Sequence, residues 1–382
     1  MLLLITSGCV SQPPRTSEDG ALPYPRSRFI TGVSWDFSQM QSQRRAHGSD
    51  LWPCTWAAGG ELYCAFGDGG GFDGDSDNVG RVSLGFARIV GRPVEGDAGA
   101  FAGRNVWGDA PDYAEHPASF GGKVSSMISV DGTLYAYGAL WTSANTPDPV
   151  HKGSEGPVKR LIWSRDGAAS WQMASWDDPL DCSFLNFGKD TASPDARVYM
   201  YYKRAGDETH AYLARVPKTR LTEDPAVSHA YEYLVSSSAD GRRAGWSSVE
   251  AQAMSVFTDP AGVAVQVVFD APLRRYLLTS GHNWQGAAAG ELGLFEGAYP
   301  WGPWHTVGYY HDWGALGPEA RGDFLGLVFP VSWMSSDGRT LWGIFSSLGQ
   351  YDSFNIVRAT LLVQRAGALH SLAARRAHDA DR

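Results

Sequence analysis

The sequence predicts an all-β protein with the architecture of a five-bladed β-propeller. Turn-forming glycine (45 residues) and proline (21) are abundant, and 15 Trp, 16 Tyr and 16 Phe favour strands. Helical periodicity is scarce, whereas short strand-like runs broken by Gly, Asp-Gly or Asn recur throughout. One unit, an apolar run followed by a tight turn and an aromatic-rich run, returns five times, and such a repeat is typical of a propeller.

The five repeats begin near residues 51, 124, 184, 264 and 328. A further strand-like segment follows each hairpin, so each unit provides three or four antiparallel strands. In the fifth unit we expect the first strand over residues 328–334, before the turn at Asp337 and Gly338. Two separate β-sandwiches would also contain many short strands, but they would not predict a common unit in a fixed order. We therefore assign residues 30–364 to one propeller.

Charge and hydropathy exclude several classes of protein. The 382 residues include 41 acidic and 32 basic side chains, which gives a formal net charge of −9. Nucleic acid or an anionic membrane would require a basic face, so neither is expected as a partner. No apolar run approaches the roughly 20 residues that a membrane-spanning helix needs. The chain is expected to be a monomer.

The amino terminus resembles the end of a bacterial lipoprotein signal. An apolar stretch from Met1 ends in small residues followed by Cys9, which would then be acylated and become the first mature residue. The charged region of a complete signal is absent and the apolar part is short, and a start site assigned too late would account for both. An unstructured tail with a chance cysteine is the alternative.

The lipoprotein interpretation predicts an exported protein, periplasmic or at the cell surface, whose membrane contact is its lipid anchor alone. Residues 1–9 would be the remnant of the signal. Residues 10–29 have the polar, proline-bearing composition of a tether, and residues 365–382 form a C-terminal tail.

Cys54 and Cys64 lie on the two strand-like runs of the first unit. If residues 58–60 form the hairpin loop, these two cysteines face each other, and a cross-strand disulfide could form in an oxidising compartment. Two small buried thiols are an equally good interpretation. Cys182 has no evident partner, and the chain has no Cys-x-x-Cys motif or Cys/His cluster that would predict structural zinc.

The first unit also carries the strongest candidate for a catalytic site. Asp50 immediately precedes its first strand and Asp68 immediately follows its second, so the hairpin should bring both carboxyl groups to one rim. Paired carboxylates are what glycoside hydrolysis requires, one protonated to assist the leaving oxygen and one ionised to attack or to activate water. The alternative makes Asp50 a turn cap and Asp68 a hydrogen-bonding residue of a Gly-rich turn. Glu250 is a third candidate for a catalytic carboxylate.

Polar and aromatic residues near the ends of the predicted strands could bind substrate. For each of them a structural or solvated role is the stronger interpretation, and for a tryptophan the usual alternative is burial in the core. The candidates are Trp52, Lys123, Lys189, Asp190 and His282.

We expect no cofactor. Asp73, Asp75 and Asp77 alternate like the ligands of a calcium loop, but Asn78 stands where an EF-hand has Gly and Leu84 where it has Glu. Calcium is therefore the weaker interpretation of this segment and a solvated loop the stronger. No metal site is predicted.

Residues 164–171 resemble the Asp-box of sialidase-like propellers, a turn between outer strands of a blade. In such boxes the aspartate accepts hydrogen bonds from turn amides and the tryptophan packs between blades. This resemblance makes Asp166 a structural residue and not a catalytic one.

Several segments together resemble one family of secreted bacterial and fungal propellers, long described as a domain of unknown function. The resemblance covers residues 30–362 and is carried by Ser49-Asp50-Leu-Trp52-Pro, Gly67-Asp68-Gly, Asn186-Phe-Gly-Lys189-Asp190, Ala271-Pro-Leu and Pro300-Trp-Gly-Pro-Trp304. Some relatives of this group are endo-D-arabinanases, whose paired first-blade aspartates match Asp50 and Asp68. The chain departs from the family pattern at Cys54 and Cys64, and at Asp270, where Asn is usual.

The leading hypothesis is therefore a glycoside hydrolase that acts on a polysaccharide or oligosaccharide, with an arabinanase-like, five-bladed fold. A second hypothesis is a carbohydrate-binding propeller without catalytic activity. A third is a polysaccharide lyase, in which cations such as Lys123, Lys189 or Arg243 would neutralise a uronate.

Overall fold

The computed structural model of the chain describes residues 22–74, 81–107, 120–141, 158–177, 180–281, 291–313, 316, 324–347 and 352–364. Their secondary structure is almost entirely β, as the aromatic and β-branched content predicts. The first part of the chain contains β1 (Ile30–Asp36), α1 (Met40–Gln43), β2 (Asp50–Trp56), β3 (Leu62–Gly67), β4 (Gly85–Gly91), β5 (Phe101–Trp107), β6 (Gly121–Val130), β7 (Thr133–Trp141), β8 (Val158–Ser164) and β9 (Gln172–Met173).

The remaining strands follow the same hairpin pattern. They are β10 (Asp181–Asn186), β11 (Arg197–Lys203), β12 (His210–Pro217), β13 (Glu232–Ser237), β14 (Ala244–Ser247), β15 (Ser255–Thr258), β16 (Ala264–Asp270), β17 (Arg275–Gly281), β18 (Leu292–Gly297), β19 (Trp304–Tyr310), β20 (Phe324–Val328), β21 (Thr340–Ser347) and β22 (Asn355–Val363). Short 3-10 turns lie at Lys218–Arg220, Glu250–Gln252 and Val331–Trp333.

The strands of the described residues form three four-stranded antiparallel sheets and one ten-stranded sheet. The four-stranded sheets have the orders β2-β3-β4-β5, β6-β7-β8-β9 and β1-β22-β21-β20. The larger sheet divides at the parallel pair β10–β16 into two antiparallel groups, β10 to β15 and β16 to β19. Because β1 pairs with β22, the first and last of the described strands share a sheet.

One edge strand of each group, which we call its first strand, contacts those of the neighbouring groups in a closed circuit, from β2 to β6, β10, β16, β20 and back to β2. A cavity of about 230 Å³ lies where these five strands begin. We call this end of the circuit the mouth and the opposite end, where the strands finish, the far end. Five hydrophobic clusters fill the spaces between neighbouring groups, so the core is divided into layers between the sheets.

One of these layers contains the predicted Asp-box. The Asp166 carboxylate accepts hydrogen bonds from the Ser170 amide at 2.9 Å and from the Ser164 hydroxyl at 2.8 Å. Buried Trp171 stacks on Phe86 of the neighbouring sheet, with ring centroids 4.1 Å apart. The structural role predicted for this box is therefore confirmed.

The predicted first strand of the fifth unit is wrong. The strand β20 ends at Val328, and residues 331–333 form a 3-10 turn instead of continuing it. Pro330 has no N–H with which to continue a ladder. Trp333 turns into the layer between two sheets, where its indole N–H donates to the Gly91 carbonyl at 3.1 Å.

Asp270, at the end of β16, is fully buried. Its Oδ1 accepts a hydrogen bond from the Leu273 amide at 3.0 Å, whereas Oδ2 has no hydrogen-bond partner among the described residues. Burial disfavours the charged form and raises the pKa of this carboxyl group to about 6.

We expect Asp270→Asn to stabilise the fold above pH 6. A carboxyl group whose pKa is raised by folding contributes stability below its unfolded pKa and loses that contribution as the pH rises through its folded value. Since each pKa unit is worth about 1.4 kcal/mol, the variant should gain about 3 kcal/mol of unfolding free energy at pH 8 and nothing at pH 3.5. Urea unfolding at both pH values measures the difference. A gain of equal size at both would contradict the assignment.

Candidate active site

The hairpin of β2 and β3 positions the two predicted carboxylates. Cys54 pairs with Cys64 and Trp56 with Leu62, so the predicted register of this hairpin is confirmed. Of the two interpretations left open for the cysteines, the structure has the disulfide.

Beyond the disulfide, the register of the hairpin shifts by one residue. Trp52 and Pro53 of β2 together lie opposite a single residue of β3, which is a β-bulge. As a result Asp50 pairs with Gly67, whereas an unshifted register would have set it opposite Asp68.

The backbone around the bulge is strained. Leu51 has a φ of 74°, Trp52 of 61° and Asp68 of 53°, all in the left-handed region that L-residues avoid. Each such residue costs on the order of 1–3 kcal/mol and persists only where the surrounding structure holds it. Strain of this kind is concentrated at functional sites, and here it surrounds the carboxylate pair.

Lys123, in β6 of the next sheet, bridges the pair. Its Nζ lies 2.9 Å from both carboxylate oxygens of Asp50 and 2.9 Å from Oδ2 of Asp68. Since one nitrogen contacts both carboxylates, their nearest oxygens are separated by at most twice this N–O distance of 2.9 Å. Arg81 adds a second positive charge 3.9 Å from Asp68.

The two carboxylates differ in their access to solvent. The side chain of Asp50 is 10% exposed and that of Asp68 is 28% exposed. Burial raises the pKa of Asp50, the Lys123 ammonium opposes that shift, and the charge of Asp68 adds to it. Asp50 is thus the inner member of the pair, and Asp68 is the member that a solute can reach.

The closeness of these charges leaves no space for a side chain at Gly67 unless they move. A methyl group at this position would overlap both Asp50 Oδ1 and Lys123 Nζ. The Gly-rich loop that follows is held by Ser49, whose Oγ accepts from the Gly71 amide at 2.9 Å, and by Asn105, whose side-chain amide donates to the Gly70 carbonyl at 2.8 Å.

A third carboxyl group, Asp352, joins the cluster from the sheet of β22. Its carbonyl accepts a hydrogen bond from the Gly48 amide at 2.5 Å, just before β2. Its Oδ1 is buried and has no hydrogen-bond partner in the described part of the chain. Burial, reinforced by the negative charge of Asp50 and partly offset by Lys123, raises the pKa of Asp352 to about 7.

Asp352 is not among the site residues predicted from the sequence. The pattern that identifies Asp68, an aspartate after the second strand of a hairpin unit, is also present at Asp352. The second strand of the fifth unit, β21, ends at Ser347, and Asp352 comes shortly afterwards.

The cavity has a second group of charges on its rim. Asp181 and Lys203 line the cavity, and Asp181 lies 3.4 Å from Lys159 and 3.9 Å from Lys203. Lys203 also pairs with Glu208 at 2.7 Å.

Glu250 lies apart from the Asp50–Asp68 pair. It accepts hydrogen bonds from Tyr202 at 2.9 Å and from Arg204 at 2.8 Å. In the described ranges none of its hydrogen bonds or ion pairs reaches Asp50, Asp68 or Lys123. The structure therefore does not assemble Glu250 with the other two predicted catalytic residues.

The expectation that Trp52 binds substrate is wrong. The side chain is fully buried, its ring contacts Phe66 and Phe354, and its indole N–H donates to the Ser49 carbonyl at 3.2 Å. No face of this ring is available to a sugar. Trp52 instead packs the bulge against the neighbouring sheet.

Lys189 and Asp190 lie at the far end of the circuit, away from the carboxylate pair. The Asp190 amide donates to the carbonyl of Trp56, the last residue of β2. Its carboxylate accepts from the Ser129 hydroxyl at 2.7 Å and from the Gly132 amide at 3.0 Å, and so caps the turn between β6 and β7. The structure therefore does not bring these two predicted substrate-binding residues together with Asp50 and Asp68.

Other predicted positions lie outside the described residues. These are Cys9, Asp75, Asp77, Asn78 and His282. Asp73 is described, and its Oδ2 accepts from the Asn105 amide at 2.9 Å. Within the described ranges, no group of three or more His, Cys, Asp or Glu residues is arranged to hold a metal ion, and no helix is long and apolar enough to cross a membrane.

No protein-family model matches the chain, and no curated protein does. Among solved structures it is similar to a provisionally assigned hydrolase from Bacteroides ovatus, with a TM-score of 0.53 at 12% identity over 86% of this chain and 90% of that one. It is also similar to a GH43_1 enzyme from Xanthomonas citri, solved with xylose and with xylotriose, with a TM-score of 0.46 at 12% identity over 84% and 89% of the two chains.

A family 117 glycoside hydrolase produced by the marine bacterium Zobellia galactanivorans gives a TM-score of 0.39 at 9% identity, over 90% of this chain and 98% of that one. At such identities a structural likeness concerns the fold alone. The similarity to the Bacteroides ovatus structure supports the all-β architecture.

Proposed function

We propose that the protein is a glycoside hydrolase that acts on a polysaccharide. One observation carries the proposal: Asp50 and Asp68 share a single ammonium group at the mouth, with a third carboxyl group beside them. Glycosidic cleavage needs one carboxylate that stays ionised and one carboxyl group that holds a proton near neutral pH. This cluster has candidates for both.

We infer that these sheets are the blades of a five-bladed propeller. The closed circuit of five first strands and the five interlayer clusters support this interpretation. In a propeller the substrate would approach along the axis, at the mouth.

Each carboxyl group has a distinct proposed role. Asp68 is the accessible anion, with Lys123 and Arg81 beside it, and it attacks the anomeric carbon or activates water. Asp352, whose pKa lies near 7, donates the proton to the leaving oxygen. Asp50 holds Lys123 in place and, through its negative charge, keeps the proton on Asp352.

The cavity beside the cluster suits a sugar ring. A sugar has apolar faces and hydroxylated edges, so its pocket combines apolar walls with a few polar groups. Val263 and Val265 provide such walls, and Ser125, Asp181 and Gln266 line the same cavity.

The lyase hypothesis is less well supported. A lyase needs a cation available to neutralise the carboxylate of a uronate. Lys123, the cation closest to the pair, is already engaged by Asp50 and Asp68. Lys189 lies at the far end.

The test of the proposed function is a screen of purified protein against a panel of polysaccharides that includes arabinan. Release of reducing ends that is lost in Asp68→Asn would support hydrolysis. Products that absorb through a new double bond would indicate a lyase. Binding without release, equal in both proteins, would indicate a carbohydrate-binding module and overturn the proposal.

The proton assigned to Asp352 should be visible in the pH dependence of turnover. Since the acid must be protonated, wild-type kcat should fall as the pH rises through about 7. In Asp352→Asn this decline should disappear, and kcat should drop by at least ~100-fold. Asp352→Glu, which restores a titratable group, should restore a decline. A variant profile identical to that of the wild type would remove Asp352 from the mechanism.

We also propose that the protein is exported, with Cys9 as the lipid attachment site. The Cys54–Cys64 disulfide supports export, because disulfides persist in oxidising compartments.

A further inference from the structure

We propose that the cavity at the mouth is a blind pocket for one terminal sugar unit, so that the protein releases single sugars from the ends of a polysaccharide. The inference rests on the proposed function, and it names the part of the substrate that this site accepts. The resemblance to endo-D-arabinanases implies cleavage inside a chain, so the pocket and the resemblance lead to opposite expectations.

The cavity lies deeper along the axis than the carboxylate pair. Leu51, the residue after Asp50 in β2, lines the cavity. Val124, the residue after Lys123 in β6, lines it as well. A sugar ring in the cavity would therefore lie between the charged cluster and the far end.

A hydrogen bond across the interior of the circuit forms the floor of the cavity. The side chain of Gln266, in β16, donates through Nε2 to the carbonyl of Ser125, in β6, at 3.1 Å. Because β10 lies between these two strands in the circuit, the side chain passes across the interior to reach its acceptor. Gln266 and Val328 line both this cavity and a second one on the side of the far end, and they separate the two spaces.

The space beyond the floor is too small for a sugar. The second cavity has a volume of about 10 Å³, which is close to the minimum that one water molecule needs. In its wall the Thr55 hydroxyl of β2 donates to Asn186 Oδ1 of β10 at 2.9 Å, and the Asn186 amide donates to the Met127 carbonyl of β6 at 3.1 Å. The described residues therefore close the axis at two levels.

The size of the cavity fits one sugar ring. Its volume of about 230 Å³ lies below the roughly 300–1,000 Å³ of pockets that enclose drug-sized ligands, and a single sugar ring is smaller than such a ligand. A ring between the floor and the carboxylates has no room for a continuation of the chain on its inner side. Its one glycosidic bond then points to the mouth, so that this unit is the end of a chain.

The first measurement is the size of the early products that the wild type releases from arabinan and the other polysaccharides of the screen. We expect single sugars, with almost no loss of viscosity, because each cut at an end leaves the polymer nearly at full length. Oligosaccharides of mixed length together with a rapid fall in viscosity would show internal cleavage and overturn the proposal.

Ala264→Trp tests the pocket itself. Ala264 lines the cavity at the start of β16, is exposed, and lies two residues before Gln266, so the two side chains share a face of the strand. A tryptophan ring there would occupy the space assigned to the sugar. Since a misplacement of about 1 Å can cost ~100-fold, kcat/KM should fall by at least that factor. The matched control is Ala102→Trp, an exposed position of the edge strand β5, and its kcat/KM should equal that of the wild type.

Binding of free monosaccharides provides a readout that needs no catalysis. Arabinose, xylose, glucose and galactose are each tested by saturation-transfer NMR. At least one of them should bind to the wild type and to Ala102→Trp and should not bind to Ala264→Trp. Binding that persists in Ala264→Trp, or the absence of binding by all four sugars, would overturn the pocket assignment.

Failure of this inference and failure of the proposed function have different signatures. If a monosaccharide binds in the cavity and no polysaccharide yields products, the hydrolase activity fails and the pocket for one sugar remains. If oligosaccharides are the early products, hydrolysis stands and the terminal pocket fails. If Ala264→Trp does not fold, the product sizes from the wild type still decide.

Discussion

Asp68→Asn and Asp50→Asn are each expected to lower kcat by at least ~100-fold on the substrate found in the polysaccharide screen, with the fold intact. Asparagine keeps the size of aspartate but cannot act as an anion. The two variants should differ in their pH profiles. Burial is the main cause of the raised pKa of Asp352, and the charges of Asp50 and, less strongly, Asp68 add to it. Both variants should therefore move the decline to lower pH, Asp50→Asn by more than Asp68→Asn.

Steady-state kinetics from pH 5 to 9, with circular dichroism as the check on folding, provides the measurement. Glu250→Gln is the matched control, and it should reduce kcat far less, since Glu250 is bound to Tyr202 and Arg204 and not to the carboxylate pair. If Asp50→Asn and Asp68→Asn together leave turnover normal, the catalytic assignment fails.

Lys123→Met is expected to abolish most activity and also to destabilise the fold in a pH-dependent way. Removal of one partner leaves the buried Asp50 charge uncompensated, which costs several kcal/mol in a fully buried pair and about 2 kcal/mol in this partly exposed one. Without Lys123 the pKa of Asp50 rises further. The loss of stability should therefore be largest at pH 8 and shrink as the pH falls, because protonation of Asp50 removes the uncompensated charge.

Lys189→Met is the control for this prediction. Lys189 is exposed at the far end, so its loss should change the unfolding free energy by less than about 0.5 kcal/mol and leave kcat unchanged. Urea unfolding of both variants at pH 5 and pH 8 provides the comparison. A penalty for Lys123→Met that is the same at both pH values would contradict the role given to the Asp50 charge.

The features that the sequence predicts correctly are local ones. A three-residue loop between two strand-like runs sets the register near the turn, and this placed Cys54 opposite Cys64. Hairpin closure then brought Asp50 and Asp68 near each other, as expected. The Asp-box likewise depends on residues only a few positions apart.

The errors have topological and long-range causes. Lys189 and Asp190 follow the first strand of a unit, whereas Asp68 follows the second, and these two positions fall at opposite ends of a hairpin. Residues that follow the second strand of a unit lie at the mouth. This excludes Lys189 and Asp190 from the site and includes Asp352. The bulge and the burial of Trp52 depend on packing against the sheet of β22. This packing involves residues about 300 positions away in the chain, so it cannot be predicted from the local sequence.

The pairing of β1 with β22 means that the sheet containing β1 can form only at the end of synthesis. Synthesis proceeds from the amino terminus, so β1 is unpaired until β22, more than three hundred residues later, has been made. An unpaired strand edge is an aggregation hazard during that interval. Asp352 lies directly before β22, so the third carboxyl group meets Asp50 only when the last sheet forms. Chemistry that requires Asp352 is thereby withheld from every incomplete chain.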